Sequence, residues 1–381
     1  MKSAVYTSNG LEDNAIAILH QKVSKEFGSA DYMIFTLPSK YNLQKAAQEI
    51  KTHFLTEEFT LFHTYEHFNS DKIVGEAISV CCFEFSNDAS IEPFYIEDIH
   101  NTAALEETAN YLNTKQDKFH IVLAGLCNSE IGSFIETLSS KIDYSPLDNI
   151  VGGVSSGVKL DNKIQTFQYI DGKLIKNGLV ILSFSNVEAY IGTSLGFTPY
   201  GITYKIKKAQ ANRLYSVDDG KSFSYILNQI LCNIDHKNRD LRYLWYAPLS
   251  ILSQEDGYVT TLRTVKNITT DYVEFFAPLQ EGEYFKLSFA TPEDLLTSDT
   301  NIAKDLSQKI DKKADIAFNF SCISREYVLE DMQEKELTIY NESFGVPLFG
   351  FFTFGEIGPD KMYKRLQFYN ETSLAVVMRE K

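Results

Sequence analysis

The stretch Gly345-Val-Pro-Leu-Phe-Gly-Phe-Phe-Thr-Phe-Gly355-Glu356-Ile-Gly-Pro359 sets one carboxylate in a run of aromatic and apolar residues. Glutamate is almost never buried unless it is paired, so Glu356 reads as part of a site and not as a casual surface charge. Glycines inside a strand mark a bulge or the close approach of a ligand or a second backbone. Asn319-Phe-Ser-Cys322-Ile-Ser-Arg325 supplies a matching floor. A guanidinium at Arg325 and a carboxylate at Glu356, on the ends of neighbouring strands, are the pair needed to hold the carboxylate and ammonium of an amino acid. Cys322 admits two readings. Beside Arg325 and a helix start it would be a low-pKa thiolate. At the end of a buried strand it would be an inert small hydrophobe, with Arg325 paired to a local carboxylate.

A second constellation is Gly152-Gly153-Val-Ser155-Ser156-Gly157-Val-Lys159. A Walker A loop needs its lysine directly after the last glycine, and here Lys159 comes one place late, before residues that alternate like a strand. The stretch also lacks the Gly-x-Gly-x-x-Gly of a dinucleotide fold. It reads as a tight turn offering backbone amides and two hydroxyls to a small ligand. His63-Thr-Tyr-Glu66-His67 fits the short His-x-x-Glu-His zinc pattern, but its neighbours read as strand, where the two histidines would not share a helical face. The other histidines, at 20, 53, 100, 120 and 236, are scattered, and any one could be an axial haem ligand. No Gly-x-Ser-x-Gly nucleophile elbow is present. The alternative to binding is therefore a thiol or zinc hydrolase built on Cys322 or on His63 and His67.

The elements that must carry these residues follow from periodicity. Strands are expected at 2–8, 31–38, 59–68, 73–85, 119–126, 148–157, 164–170, 178–185 and 188–196. Helices are expected at 11–27, 42–54, 102–112 and 129–142, with 86–101 irregular. Beyond an alternating basic segment at 202–217 come a helix to 234 and strands at 243–252, 258–267, 271–277 and 283–290. Pro292 opens a helix to 310, in the first-turn position that proline tolerates. A strand at 314–322, a helix at 326–344, a single strand at 348–357 and closing strands at 363–369 and 373–379 complete the chain. Ile121–Cys127, a helix and Gly152-Gly153 are echoed by Ile316–Cys322, a helix and the glycines at 350, 355 and 358, as in a duplicated unit. The fold class is mixed α/β (α+β): two related halves, sheets sandwiched by helices, divided into 1–213 and 214–381, with the ligand site near the strand ends between them.

Composition narrows the class. Of 381 residues, 44% are hydrophobic and 23% charged, with 27 Phe and 22 Tyr to fill cores. The net charge of -15 disfavours phosphate backbones and anionic membranes, so neither nucleic acid nor membrane insertion is expected. Five cysteines (81, 82, 127, 232 and 322) without a Cys-x-x-Cys pair, and a start without a signal-peptide core, point to reduced thiols in the cytoplasm.

At Phe318-Asn-Phe-Ser-Cys-Ile-Ser-Arg325 and Pro347-Leu-Phe-Gly-Phe-Phe-Thr-Phe-Gly-Glu-Ile-Gly-Pro359 the chain resembles the C-terminal signature of the FIST family of sensory domains. Gly152-Gly153 and Asp171-Gly172 resemble its N-terminal domain, and Leu195–Gly201 followed by Asp219-Gly220-Lys221 resembles the junction. Tyr65-Glu66-His67 departs from the small, glycine-rich stretch expected there. The resemblance implies a non-enzymatic module that binds a small, amino-acid-like ligand and signals through a separate protein. Arg325, Glu356, Cys322, Gly152, Gly153, Ser155, Ser156 and Gly355 would line the pocket. Stand-alone bacterial members are similar, in part, to haem proteins that sense nitric oxide and regulate a histidine kinase or a cyclic-di-GMP enzyme, which makes haem the alternative ligand.

Overall fold

In the computed structural model, residues 1–381 are described except 11, 128–129, 144–148, 158, 161–162, 232–240, 254–256, 311–312 and 361. Cys232, His236 and the end of the helix expected to reach 234 lie outside the described residues.

Three segments repeat one pattern: strand, helix, strand, helix, strand, hairpin, closing strand. The first comprises β1 (Lys2–Asn9), α1 (Glu12–Glu26), β2 (Tyr32–Pro38), α2 (Leu43–Phe54), β3 (Phe59–Thr64), the hairpin β4 (His67–Asn69) and β5 (Lys72–Val74), and β6 (Ala77–Glu84). The second comprises β7 (Ser90–Ile96), α3 (Ala104–Thr114), β8 (Phe119–Ala124), α4 (Ile131–Ser139) and β9 (Ile150–Val154). It continues through a short ribbon of β10 (Lys159–Leu160) and β11 (Lys163–Ile164), the hairpin β12 (Gln168–Ile170) and β13 (Lys173–Ile175), and β14 (Leu179–Ser185).

The third repeat opens with β15 (Val187–Ser194) and is interrupted by an insert. That insert holds β16 (Thr198–Gln210), β17 (Arg213–Val217), α5 (Phe223–Ile230), a 3-10 turn at Leu241–Tyr246, β18 (Leu249–Leu252), β19 (Val259–Arg263), β20 (Val265–Ile268), β21 (Val273–Phe275) and β22 (Tyr284–Phe289). The repeat resumes with α6 (Pro292–Lys309), β23 (Ile316–Cys322), α7 (Ile323–Leu329), α8 (Gln333–Phe344), β24 (Leu348–Thr353), the hairpin β25 (Glu356–Asp360) and β26 (Arg365–Tyr369), and β27 (Ser373–Glu380).

In every repeat the second and third strands pair in parallel, β2 with β3, β8 with β9 and β23 with β24. A helical crossover joins each of these pairs, as parallel strands require. The closing strands β6, β14 and β27 insert antiparallel between the first and second strands. The hairpins leave their own sheets. β4–β5 extend β24 of the third repeat, β12–β13 extend β3 of the first, and β25–β26 extend β9 of the second. This exchange is cyclic, so no repeat can be withdrawn without breaking strand pairs.

The inner faces of the three sheets share one core. Phe62 and Phe83 from the first repeat, Phe119 and Phe184 from the second, and Phe318 and Phe351 from the third all belong to it. Each outer face is covered by its own helices, through Leu19 and Ile50, Leu112 and Ile135, and Leu306 and Leu337. The insert has a separate core around Leu214, Phe275 and Phe285.

The expected class, mixed α+β with sheets flanked by helices, is observed. The echo read between 121–153 and 316–358 comprises two members of a set of three. A division at 213 falls inside the seven-stranded sheet of the insert, at the start of β17. Three local expectations are corrected. Residues 90–96, read as irregular, form β7, where Pro93 is tolerated because the strand is an edge. The single strand expected at 348–357 breaks at Gly355, whose φ of +142 favours glycine. Its two parts join different sheets. The strand expected through 59–68 breaks likewise, at Tyr65-Glu66.

Gly152 and Gly153 lie within β9 and not in an exposed turn. A Cβ at Gly152 would stand 1.9 Å from Val122 O, and one at Gly350, in the matching strand of the third repeat, 1.8 Å from Asn319 O. Gly152→Ala and Gly350→Ala should each destabilise the fold beyond the ~1–3 kcal/mol of ordinary overpacking, because the obstacle is backbone. Urea midpoints within 1 kcal/mol of wild type would show that the strands can part enough to admit a methyl group.

Candidate functional site

The third strands of the three repeats converge where their parallel pairing ends. Tyr65 N donates to Ser156 Oγ at 2.9 Å, and that hydroxyl donates in turn to Phe352 O. One serine therefore bonds the first, second and third repeats together. Phe352 N to Glu66 O at 3.2 Å, Phe354 N to Val154 O at 3.0 Å and Val154 N to Gly355 O at 2.9 Å complete the junction. Ser155 Oγ accepts from Gln168 Nε2 at 2.9 Å. Both serines, expected to face a ligand, are fully buried and their hydroxyls belong to this frame. The same holds for Gly355, which meets the Phe368 ring: a Cβ there would lie 2.2 Å from it.

Two joined chambers open beside the junction. The inner one measures about 220 Å³ and is almost wholly apolar, with Leu126 and Ile131 from the second repeat and Phe354 and Phe368 from the third. Its polar groups are Cys322, Ser324 and Asn370 from the third repeat and Thr264 and Lys266 from the insert. The outer chamber, about 740 Å³, takes Tyr65 from the first repeat, Gly157 from the second and Glu326 from the third. Trp245, Ile164, Ile323 and Phe354 line both and so form the neck between them.

Behind the inner chamber lie two buried carboxyls. Glu356 accepts from Thr372 N at 3.2 Å, from Thr372 Oγ1 at 2.6 Å and from the Thr353 hydroxyl. Burial outweighs these donors and pushes its carboxyl up to about 8. Glu371 accepts from Thr264 Oγ1 at 2.9 Å, and burial pushes it up to about 7. It sits at φ +58, in the left-handed region that is strained for a non-glycine residue. Cys322 Sγ lies 2.9 Å from Ser324 Oγ. Burial, then the Glu356 and Glu371 carboxyls, push its thiol well up, so the expectation of a low-pKa thiolate is overturned.

Arg325 is turned away from both chambers. On the first turn of α7 it is wholly buried, with Nη2 at 2.7 and 3.0 Å from the Asp299 carboxylate and 3.4 Å from Glu336 Oε2. Tyr340 OH donates to Asp299 at 3.0 Å. Its charge is spent inside the fold, so Arg325 and Glu356 do not form the clamp expected for an amino acid's carboxylate and ammonium. The helix after Cys322 begins at once, and its first turn carries residue 325 under α6 and α8.

The histidine readings also change. His63 Nε2 is 2.9 Å from Tyr41 O and Nδ1 receives Phe167 N at 3.3 Å, while His67 sits in a different sheet. Among the described residues no group of three or more His, Cys, Asp or Glu is placed to hold a metal ion. None of His20, His53, His63, His67, His100 and His120 lines either chamber, so among the described residues no histidine is placed to ligate a haem iron in them.

Sequence reading missed Asn370, Glu371 and Trp245. The signal for the first two was a polar turn, Asn-Glu-Thr, between two apolar strands, a pattern that by default means only a turn. Trp245 is the chain's single tryptophan, but nothing in its neighbourhood tied it to strands 80 residues away.

Two outcomes follow. Arg325→Ala leaves two buried carboxylates without their cation and should cost about 3–5 kcal/mol in urea unfolding; a loss below 1 kcal/mol would show that they are neutral. For Glu356, the folded state holds a proton that the unfolded chain gives up near its ordinary value of 4.5. Its stabilising share is thus full below about pH 4.5 and is lost as pH rises to about 8. Glu356→Gln should therefore gain on wild type across that window, and parallel stability curves would place the ionised form in the fold.

The comparisons agree with the signature residues. The FIST N domain profile matches residues 31–220 and the FIST C domain profile residues 225–359. An uncharacterized protein of Aquifex aeolicus is 30% identical over 269 residues, 68% of this chain and 97% of its own length. A crystal structure of cyanuric acid hydrolase from A. caulinodans superposes over 100% of this chain and 99% of its own, at 8% identity and a TM-score of 0.40, a likeness too loose to bear on function. No described helix is long and apolar enough to cross a membrane. With both domain profiles matched in order along one chain, this protein belongs to the FIST family, whose domains are in general sensory, ligand-binding signalling modules.

Proposed function

We propose that the protein is a small-molecule sensor, not an enzyme, and that its ligand occupies the inner chamber. The observation that carries this reading is an apolar cavity lined in part by Asn370, a residue with a buried acceptor that no described group answers. Asn370 is 3% exposed, its Nδ2 donates to Tyr369 O at 3.0 Å, and its Oδ1 accepts from no described group. A buried acceptor left unpaired costs about 1–3 kcal/mol, which a ligand's N–H or O–H recovers. A cavity of ~150 Å³ holds benzene, so 220 Å³ suits one ring with a short substituent, the size of an aromatic amino acid side chain. Binding without turnover is in keeping with a thiol held protonated and serines committed to the frame.

The signal follows from which elements touch the ligand. Trp245, Thr264, Lys266 and Phe276 come from the insert, whereas Cys322, Ser324 and Asn370 come from the third repeat. A bound molecule bridges the two cores and favours the arrangement in which the insert is seated on the frame. A separate partner protein that reads the insert's position would receive the message; a histidine kinase or cyclic-di-GMP enzyme would suit that role. Ligand can shift such an equilibrium only by its differential affinity for the two arrangements.

The test is a thermal-shift and Trp245-fluorescence screen of single-ring amino acids, amines and phenols. At least one should raise the melting temperature and alter the emission. Asn370→Leu, which keeps the volume and removes the acceptor, should weaken that ligand by about tenfold. A screen without hits, or a hit unaffected by Asn370→Leu, would remove the chamber from the function.

A further inference from the structure

The outer chamber is built to receive positive charge. Glu326, Glu330 and Asp331 stand on its wall, and Glu66 lies close enough to Glu326 to raise it by repulsion. Among the described residues, neither Glu66 nor Glu326 has a cation within salt-bridge distance. Aromatic rings stand beside them: Trp245 and Tyr246 meet Tyr327 edge-on, with centroids 5.6 and 5.7 Å apart, and Tyr246 OH holds Glu330 at 2.7 Å. Aromatic faces next to half-buried carboxylates are the surroundings that organic cations prefer. The cations nearby are already engaged, Lys266 with Glu274 at 3.3 Å and Arg242 over the Tyr327 ring at 5.4 Å. At the other end of the path Asn370 Oδ1, buried and unanswered, asks for a donor.

We infer that the ligand is an arylalkylamine, its ring donor on Asn370 Oδ1 in the inner chamber and its ammonium at the neck beside Glu326 and Trp245. This inference rests on the sensor reading and narrows it: an amine, not the parent amino acid. A free amino acid would bring a carboxylate to a mouth lined by Glu326, Glu330 and Asp331, where the nearby described cations, Lys266 and Arg242, are already engaged. An acid of the same shape fares worse, because it carries no positive charge to offset the repulsion.

Four matched probes separate these cases by Trp245 emission: tyramine, phenethylamine, tyrosine and 3-(4-hydroxyphenyl)propionate. Tyramine should bind most tightly, phenethylamine about tenfold more weakly for want of the ring donor, and the acid not at all. Glu326→Gln should weaken tyramine by about tenfold or more while leaving the fold intact, since the residue is half-exposed; Glu330→Gln serves as the second variant. Tyramine binding to wild type should also strengthen as pH rises through about 7, where burial and Glu66 place the Glu326 carboxyl, and flatten in Glu326→Gln. Among the described residues, Glu66, Tyr65, Arg242, Tyr246, Tyr327, Glu330 and Asp331 are the charged and titratable groups around it, and tyramine's amine stays protonated to about pH 10.

Tyrosine or the acid binding as tightly as tyramine, tyramine binding that ignores Glu326→Gln, or no tyramine binding at all would each overturn the inference. The sensor reading survives any of these if another single-ring compound still depends on Asn370. It falls with the inference if no compound of the wider screen binds, or if no compound that binds depends on Asn370.

Discussion

Three sheets that close on one apolar core must also close on one another, and the hydrogen bonds of Ser156 lie where they do so. Its hydroxyl accepts from the first repeat and donates to the third while its backbone belongs to the second. Around it the exchanged hairpins complete each sheet with strands from a neighbour. The constraint is topological as well as energetic, because the unpaired edges left by withdrawing any hairpin would expose a row of backbone donors and acceptors. The frame is thereby made rigid at the place where loops of all three repeats meet. Sites at the ends of parallel strands recur in α/β proteins for a similar reason: the sheet holds the ends still while the connecting segments are free to vary.

That rigidity permits an unusual concentration of buried polarity. Asp299, Arg325, Glu336 and Tyr340 form a buried network under α6 and α8, while Glu356 and Glu371 stand behind the inner chamber with hydroxyl partners and, among the described residues, no cation within salt-bridge distance. The two groups behave differently. In the first, opposite charges offset the cost of desolvation. In the second, burial raises both carboxyls above the usual carboxylate range and favours their protonated forms.

The insert packs apart from the three-sheet frame. Its sheet has an independent core, and it meets the frame through a small apolar set including Leu262, Leu295 and Val328 and through the chamber walls. Under the proposed function, a ligand would complete the packing of this interface.

Much of the architecture was legible in the sequence for local reasons. Apolar runs of strand length, the proline that opens α6 and the glycine that ends α8 act within a few residues of where they stand, so most elements and the α+β class follow from them. The signature residues around Cys322, Arg325 and Glu356 likewise marked the family. What the chain alone did not disclose was which way those side chains turn. Gly355 looks like one more residue of a strand, yet its positive φ sends β25 into another repeat's sheet and buries Glu356 there. Arg325 looks like a ligand anchor, yet α7 starts directly after Cys322 and carries the guanidinium to Asp299, 26 residues earlier in the chain. Asn370 and Trp245 become neighbours only because an insert folds back over the third repeat. Local propensity and periodicity determined the elements, whereas the site depends on contacts between residues far apart in sequence, and those exist only once the three sheets have closed.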